Sequence, residues 1–331
     1  MLLTAAMVRW EEIYNERSKM VDLVENSECD SECERQANKR PRRAIDGTNS
    51  DEIHGKRPKT LTKYAYIKLQ TKTLLTKYYC SPISAIRDVK EFRDDTLLSD
   101  PKNKDYIQAA FDDFGKDLME LSMREIYNLI KDYSPNFFLS MNYGSREESL
   151  EVIDNLIRYQ CDDNDERICE FLTALIDILD KKIAKCNCLC IQSPPSSGKN
   201  FFFDMIFALC LNYGQFGSAN KHNLFAFQEA PNKRVIVWNE PNYESSVIDV
   251  LKMMFAGDPY TVRVKHAMDT HVRRTPVIVL TNNHVSFMTD VAFRDRIIQF
   301  QWKAAPQLKD IEFKPYPLAF YDLLNKYNIE F

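Results

Sequence analysis

Three short, mostly apolar runs in the second half of the chain end in polar or charged residues. They are Cys186–Ile191, Val235–Trp238 and Pro276–Leu280. Continuous apolar runs of this length are typical of strands that are buried on both faces of a parallel sheet. Because parallel strands run in one direction, their polar ends meet at one edge of the sheet. The pattern predicts an α/β fold with a functional edge.

A loop of small residues and an amphipathic helix follow the first run. The residues at 193–197 (SPPSS) cannot continue a strand, and Gly198 and Lys199 open a run with apolar residues at helical spacing, Asn200–Leu211. Strand, loop, Gly-Lys and helix together predict a phosphate-binding loop, whose backbone N–H groups surround a phosphate while the lysine reaches the β and γ oxygens. The candidate ATP-binding residues are Ser193, Pro194, Pro195, Ser196, Ser197, Gly198, Lys199 and Asn200.

This loop departs from the usual motif at both ends. Ser193 stands where the first glycine belongs, and Asn200 stands where a hydroxyl would bind Mg²⁺. An ordinary strand-to-helix turn is therefore the alternative, and the downstream chain favours the phosphate loop.

The second and third runs carry polar residues at their tips. Val235–Trp238 is followed by Asn239 and Glu240, the arrangement in which a buried strand places an acid beside bound phosphates. Asn200, Asn239 and Glu240 are the candidate Mg²⁺ ligands. The third run ends in Asn282, a candidate for orienting the attacking water or touching the γ-phosphate. The alternative for Glu240 is a surface residue that happens to end a core strand.

An Asp-Arg pair follows the third run. Arg296 is a candidate arginine finger that would act in the ATP site of a neighbouring subunit. Most isolated Asp-Arg pairs are simple surface pairs, which is the alternative here.

A basic hairpin is predicted between the second and third runs. In Thr261–Arg274, valines alternate with basic residues, and a turn near Met268 lies between the two arms. Its candidate DNA-binding residues are Arg263, Lys265, His266, Arg273 and Arg274. The alternative is an exposed edge hairpin that its charges protect from aggregation.

The rest of the chain divides by composition. Residues 1–60 are polar and charged, which predicts a largely disordered tail, with two basic clusters at 39–43 and 56–59 that favour nuclear import. A helical region of uncertain packing is expected at 61–144, a helical oligomerisation bundle at 145–185, the nucleotide-binding domain at 186–302 and a C-terminal tail at 303–331.

Capping boxes predict two of the helix starts, one at Ser122 with Glu125 and one at Ser145 with Glu148. No run of apolar residues is long enough to cross a membrane. The net charge of −4 gives no global nucleic-acid signal, so DNA binding must be local.

Taken in order, these motifs resemble the superfamily 3 helicase domain of parvoviral non-structural replication proteins. The resemblance spans about residues 145–302 and is carried by the segments 193–200, 235–240, 275–282 and 295–296. Gly198-Lys199-Asn200, in place of Gly-Lys-Thr, is most similar to the insect densovirus branch and its bidnavirus relatives.

The resemblance implies an AAA-plus-like core with a parallel sheet and ring hexamers that hydrolyse ATP between subunits to unwind DNA. It implies that Lys199 binds phosphate, that Glu240 polarises water or holds Mg²⁺, that Asn282 is the sensor and that Arg296 is the finger. It also implies that the basic hairpin lines the channel and contacts single-stranded viral DNA. A nuclear location, import receptors and a replicative polymerase are the further expectations.

Two features point away from the full activity of the family. Asn200 and Asn239 supply amide oxygens where a hydroxyl and a second acid are usual, and Mg²⁺ prefers anionic oxygen. The histidines, His54, His222, His266, His271 and His284, show no His-x-His spacing, so no nickase is expected in these residues. The alternatives are an ATP-binding module for DNA packaging or transcription that does not unwind, and a non-catalytic DNA-binding scaffold.

Overall fold

The computed structural model describes residues 62–132, 137, 142–220, 222–266 and 268–331. The predictions for the first 60 residues, namely the disordered tail and both basic clusters, lie outside the described residues.

Six helices come before the first strand within the described residues. Their bounds are α1 Lys63–Tyr78, α2 Lys90–Asp94, α3 Lys104–Glu120, α4 Met123–Ile130, α5 Arg146–Gln160 and α6 Asp165–Leu179. Both predicted capping boxes are confirmed: the Ser122 hydroxyl accepts from the Glu125 N–H at 3.2 Å, and Ser145 does the same with Glu148 at 3.2 Å. Each serine therefore satisfies an N–H group that the first turn of its helix leaves unpaired.

The remaining elements alternate strands with helices. They are β1 Cys188–Gln192, α7 Lys199–Leu209, β2 Tyr213–Gln215, β3 Val235–Asn239, α8 Ile248–Ala256, β4 Tyr260–Val262, β5 Thr270–Val272, β6 Val277–Thr281, β7 Ile297–Gln301 and α9 Ala319–Lys326. One sheet has the order β2-β3-β6-β1-β7 with every pair parallel, and β4 with β5 forms a separate antiparallel hairpin. The predicted α/β core with a parallel sheet is confirmed.

The central strands are buried on both faces, as their continuous apolar sequence predicts. Leu189 and Ile191 of β1 face one core with the helices, while Cys188 and Cys190 face a second core that contains Trp238. Burial raises the pKa of the Cys190 thiol to about 12, so this cysteine is an inert core residue.

The C-terminal segment 303–331 is not a tail, and this prediction is wrong. Helix α9 buries Phe320, Leu323 and Leu324 in the same core as β1, and Asp322 pairs with Arg146 of α5 at 2.5 Å. The segment has only one short apolar run, so its sequence alone did not indicate that it packs against α5 and completes the hydrophobic core.

Candidate functional site

The loop between β1 and α7 lies at the carboxyl edge of the sheet. Gly198 has φ +83°, a conformation that glycine adopts without strain. A Cβ at this position would also lie 2.4 Å from Cδ1 of Leu308, so any side chain here would require Leu308 to move. Ser196, with φ 60°, adopts the left-handed region without being glycine, which costs conformational energy that the surrounding contacts must offset.

Ser193 has a role at the base of the loop. Its hydroxyl is buried and lies 2.7 Å from the Ser197 hydroxyl, so the two side chains close the loop on itself. The cleft above the loop, of about 380 Å³, is lined by Pro195, Ser196, Ser197, Gly198, Lys199, Asn200, Phe201, Asn239, Glu240 and Asn282. Ser193 and Pro194, both predicted to bind ATP, are not among the lining residues. The observed role of Ser193 is to close the base of the loop through Ser197.

Three predicted residues from separate elements meet in this cleft: Lys199 begins α7, Glu240 follows β3 and Asn282 follows β6. The backbone N–H of Asn282 donates to both carboxylate oxygens of Glu240, at 2.9 and 3.0 Å. The ammonium group of Lys199 lies 3.7 Å from Oε1 of Glu240 and donates to Oδ1 of Asn282. The register explains this meeting, because β3 and β1 both pair with β6 and end at the same level.

The ammonium group of Lys199 is poorly solvated in this position. Its side chain is 11% exposed, and burial lowers its pKa while the carboxylate of Glu240 opposes that shift. A bound polyphosphate would place several negative charges beside the ammonium and favour its charged form. The cleft is therefore better suited to an anion than to a neutral ligand.

The oxygen atoms in the cleft fit a weakly held magnesium ion. Glu240 is the one acidic residue among the described residues that line it, and Asn200 and Asn239 contribute carboxamides. Across the described ranges there is no group of three or more histidines, cysteines or acids that could hold a metal on its own. Since protein Mg²⁺ sites commonly combine one or two carboxylates with substrate phosphates, the donor set fits an ion bound together with a nucleotide.

Arg296 lies at the amino ends of the strands, opposite the carboxyl ends that form the cleft. It precedes β7, whose first residue Ile297 pairs with Cys188 at the start of β1, whereas the phosphate loop follows the end of β1. The guanidinium donates to the Ala292 carbonyl at 2.7 Å. Arg296 therefore cannot serve the cleft of its own chain, and any catalytic contribution must go to a second copy.

The predicted basic hairpin is present, with shorter strands than the sequence suggests. Strands β4 and β5 pair Tyr260 with Val272, and Val262 and Val272 are buried against the second core. Four candidate DNA-binding side chains, Arg263, Lys265, His266 and Arg273, are exposed. Met268, at the tip between the strands, is 86% exposed.

Arg274 does not belong to this exposed face, and its assignment to DNA binding is wrong. Its guanidinium donates to the backbone carbonyls of Ile183 at 2.5 Å and Cys186 at 3.0 Å, and to Oδ1 of Asn187 at 3.2 Å. Gly257 packs directly against it. Arg274 fixes the chain that enters β1, which is a structural role.

One further residue at the phosphate loop could not be predicted from the sequence. Gln160, the last residue of α5, donates from Nε2 to the Ser197 carbonyl of the phosphate loop at 3.0 Å. Gln160 belongs to no sequence motif, and only the tertiary structure reveals the contact.

A phosphate loop between a parallel strand and a helix, with a lysine, a glutamate and an asparagine at the carboxyl edge of the sheet, defines a P-loop α/β fold. Residues 161–302 match the model of a family described as Parvovirus non-structural protein NS1. This match confirms the resemblance to parvoviral non-structural proteins that was inferred from the motifs.

Two relatives extend this match along the chain. The Initiator protein NS1 of Diatraea saccharalis densovirus and that of Junonia coenia densovirus (isolate pBRJ/1990) are each 57% identical over 337 residues. Each alignment covers 98% of this chain and 61% of the relative, so the chain spans only part of their length. A crystal structure of JCV helicase with a bound small molecule has a TM-score of 0.48 at 14% identity, covering 82% of this chain and 84% of that one.

Proposed function

We propose that the chain is an ATP-dependent DNA helicase of viral DNA replication. The observation that carries this proposal is the meeting of Lys199, Glu240 and Asn282 above the phosphate loop. An ammonium group, a carboxylate and an amide at one sheet edge are the groups that phosphoryl transfer needs, since its catalysis consists of positioning and charge stabilisation.

Each side chain has a distinct task in this proposal. Lys199 binds the β and γ oxygens and offsets their negative charge. Glu240 orients the attacking water or holds the metal, and Asn282 senses the γ-phosphate. Mg²⁺, when bound with the nucleotide between Glu240, Asn239 and Asn200, would neutralise charge that develops on the phosphates.

The position of Arg296 supports a ring in which ATP lies between subunits. Because the residue lies at the far edge of its own sheet, it can reach a nucleotide only in a neighbouring copy. The proposed partners are therefore a second copy of the chain, in a ring that is expected to be a hexamer, and single-stranded viral DNA.

The hairpin is the proposed DNA contact. We expect the double variant Lys265→Ala with Arg273→Ala to weaken binding of single-stranded DNA and to flatten its salt dependence. Each lost phosphate contact changes the log–log slope by about 0.7 for single strands. Arg273 lies 3.6 Å from Glu120 in an exposed pair, so its loss has little effect on stability. Fluorescence anisotropy at several salt concentrations measures the slope.

The matched control removes two exposed lysines of the helical region, Lys90→Ala with Lys102→Ala, and should leave the slope unchanged. An unchanged slope in the hairpin variant would place the DNA elsewhere. The basic clusters at 39–43 and 56–59 would then be the next candidates.

The single carboxylate of the metal site favours a second candidate, an ATP-binding module for packaging or transcription that does not unwind DNA. Asn200→Thr tests the affinity of this site for Mg²⁺ directly, because Asn200 is exposed to the cleft. We expect the hydroxyl, a better Mg²⁺ partner than an amide, to lower the Mg²⁺ concentration that gives half-maximal ATP hydrolysis by roughly twofold to tenfold. A higher requirement would show that the site is built around asparagine.

Two assays separate the candidates. Steady-state ATP hydrolysis distinguishes either enzyme from a non-catalytic scaffold, and strand displacement distinguishes the helicase from a module that hydrolyses ATP without unwinding. A location in the host nucleus, import receptors and a replicative polymerase complete the proposal, and they rest on sequence expectations.

A further inference from the structure

Gln160 connects three segments of the chain through one buried side chain that is 6% exposed. Its Nε2 donates to the carbonyls of Ser197, at 3.0 Å, and Lys303, at 2.8 Å. Its Oε1 accepts from the Lys303 N–H at 2.6 Å. Two acceptors and one donor surround the carboxamide, a set that a glutamate or an apolar side chain cannot satisfy.

The bond to Ser197 fixes one peptide group of the phosphate loop. In a planar trans peptide, the carbonyl of Ser197 and the N–H of Gly198 point in opposite directions. Because Gln160 holds the carbonyl, the Gly198 N–H points away from Gln160. Both Ser197 and Gly198 line the cleft. The neighbouring peptide is held in the same way, since the Ala305 N–H donates to the Ser196 carbonyl at 2.9 Å.

This loop needs such support. Ser196 is held in a left-handed conformation that is unfavourable for a serine, and the loop lacks the first glycine of the usual motif. A free loop would relax toward other backbone conformations, and its N–H groups would then lose their common orientation.

We propose that Gln160 is a positioning residue for ATP: it orients the Gly198 N–H toward the phosphates from outside the phosphate loop. The inference rests on the proposed function, because it assumes that the cleft takes a nucleotide. It also makes the end of α5 and the segment after β7 part of the binding site, although neither contains a recognised motif.

The test compares three ligands on the full chain: ATP, tripolyphosphate and adenosine. Gln160→Met removes the hydrogen bonds at nearly constant side-chain volume. We expect it to lower the affinities for ATP and for tripolyphosphate by the same factor, about tenfold. Adenosine, which has no phosphate, should bind the variant and the parent equally. Competition against a fluorescent nucleotide measures all three affinities, and thermal unfolding confirms that the variant is folded.

Tyr159→Phe is the matched control. The Tyr159 hydroxyl donates to the Ala304 carbonyl at 2.9 Å, so it joins the same two segments without touching the loop. We expect this variant to bind every ligand like the parent. If Gln160→Met is unstable, Gln160→Leu also removes the donor without adding a charge, and should show the same selective loss.

Two results would overturn the inference: an equal loss of ATP and adenosine binding in the Gln160 variants, or the same ATP loss in Tyr159→Phe. Either result would show that Gln160 only stabilises the packing of α5 against the segment after β7. If the parent chain binds no ATP at all, the proposed function fails instead, and the two failures are thereby distinguished.

Discussion

Replacing Lys199 with alanine is expected to abolish ATP hydrolysis, with a fall of about 10³-fold or more, the effect of removing a charge that stabilises the transition state. Lys199 is the one cationic side chain among the described residues that line the cleft, so nothing there replaces its charge. A steady-state assay of phosphate release at saturating ATP measures the loss.

The fold should survive this substitution. The ammonium group contacts the polar side chains of Glu240 and Asn282, and Lys199 belongs to neither hydrophobic core. Lys116→Ala, which removes an exposed lysine of α3, is the control and should hydrolyse ATP at the parental rate. A folded Lys199→Ala protein with parental turnover would show that the loop does not bind the phosphates that react.

Arg296→Ala is expected to cut turnover by roughly 10³-fold while ATP binding stays nearly intact, as for arginine fingers supplied in trans. The guanidinium donates to a backbone carbonyl of its own chain at 2.7 Å, in an accessible position, so its loss should cost little stability. Comparing turnover with the affinity for ATP separates a catalytic role from a binding role.

Mixing two inactive proteins shows whether the arginine acts across a subunit boundary. Arg296→Ala retains Glu240, and Glu240→Gln retains Arg296, so a mixed ring contains some complete sites. Partial recovery of hydrolysis is expected at intermediate ratios. If activity recovers at no ratio while mixed rings form, the arginine does not complete a neighbour's site.

The loop and the strand tips could be predicted from the sequence because their signals are local. A run of apolar residues followed by Gly198-Lys199 or by Glu240 contains both the strand and the group it positions. The parallel register then brings Lys199, Glu240 and Asn282 together without further information.

The errors arose where distant segments decide the outcome. Arg274 looks like its exposed neighbour Arg273, and only the carbonyls of residues 183 and 186 turn it inward. The burial of α9 depends on a surface supplied by α5, and the contact of Gln160 depends on the path of the chain after β7. None of these partners is adjacent in sequence.

Strand displacement tests the central claim most directly. A partly single-stranded DNA substrate with a labelled strand is incubated with the full chain, Mg²⁺ and either ATP or a non-hydrolysable analogue, alongside Lys199→Ala. The expected result is release of the labelled strand with ATP alone, and none with the analogue or the variant. DNA-stimulated hydrolysis without strand release, at any Mg²⁺ concentration, would contradict a helicase and favour the ATP-binding module.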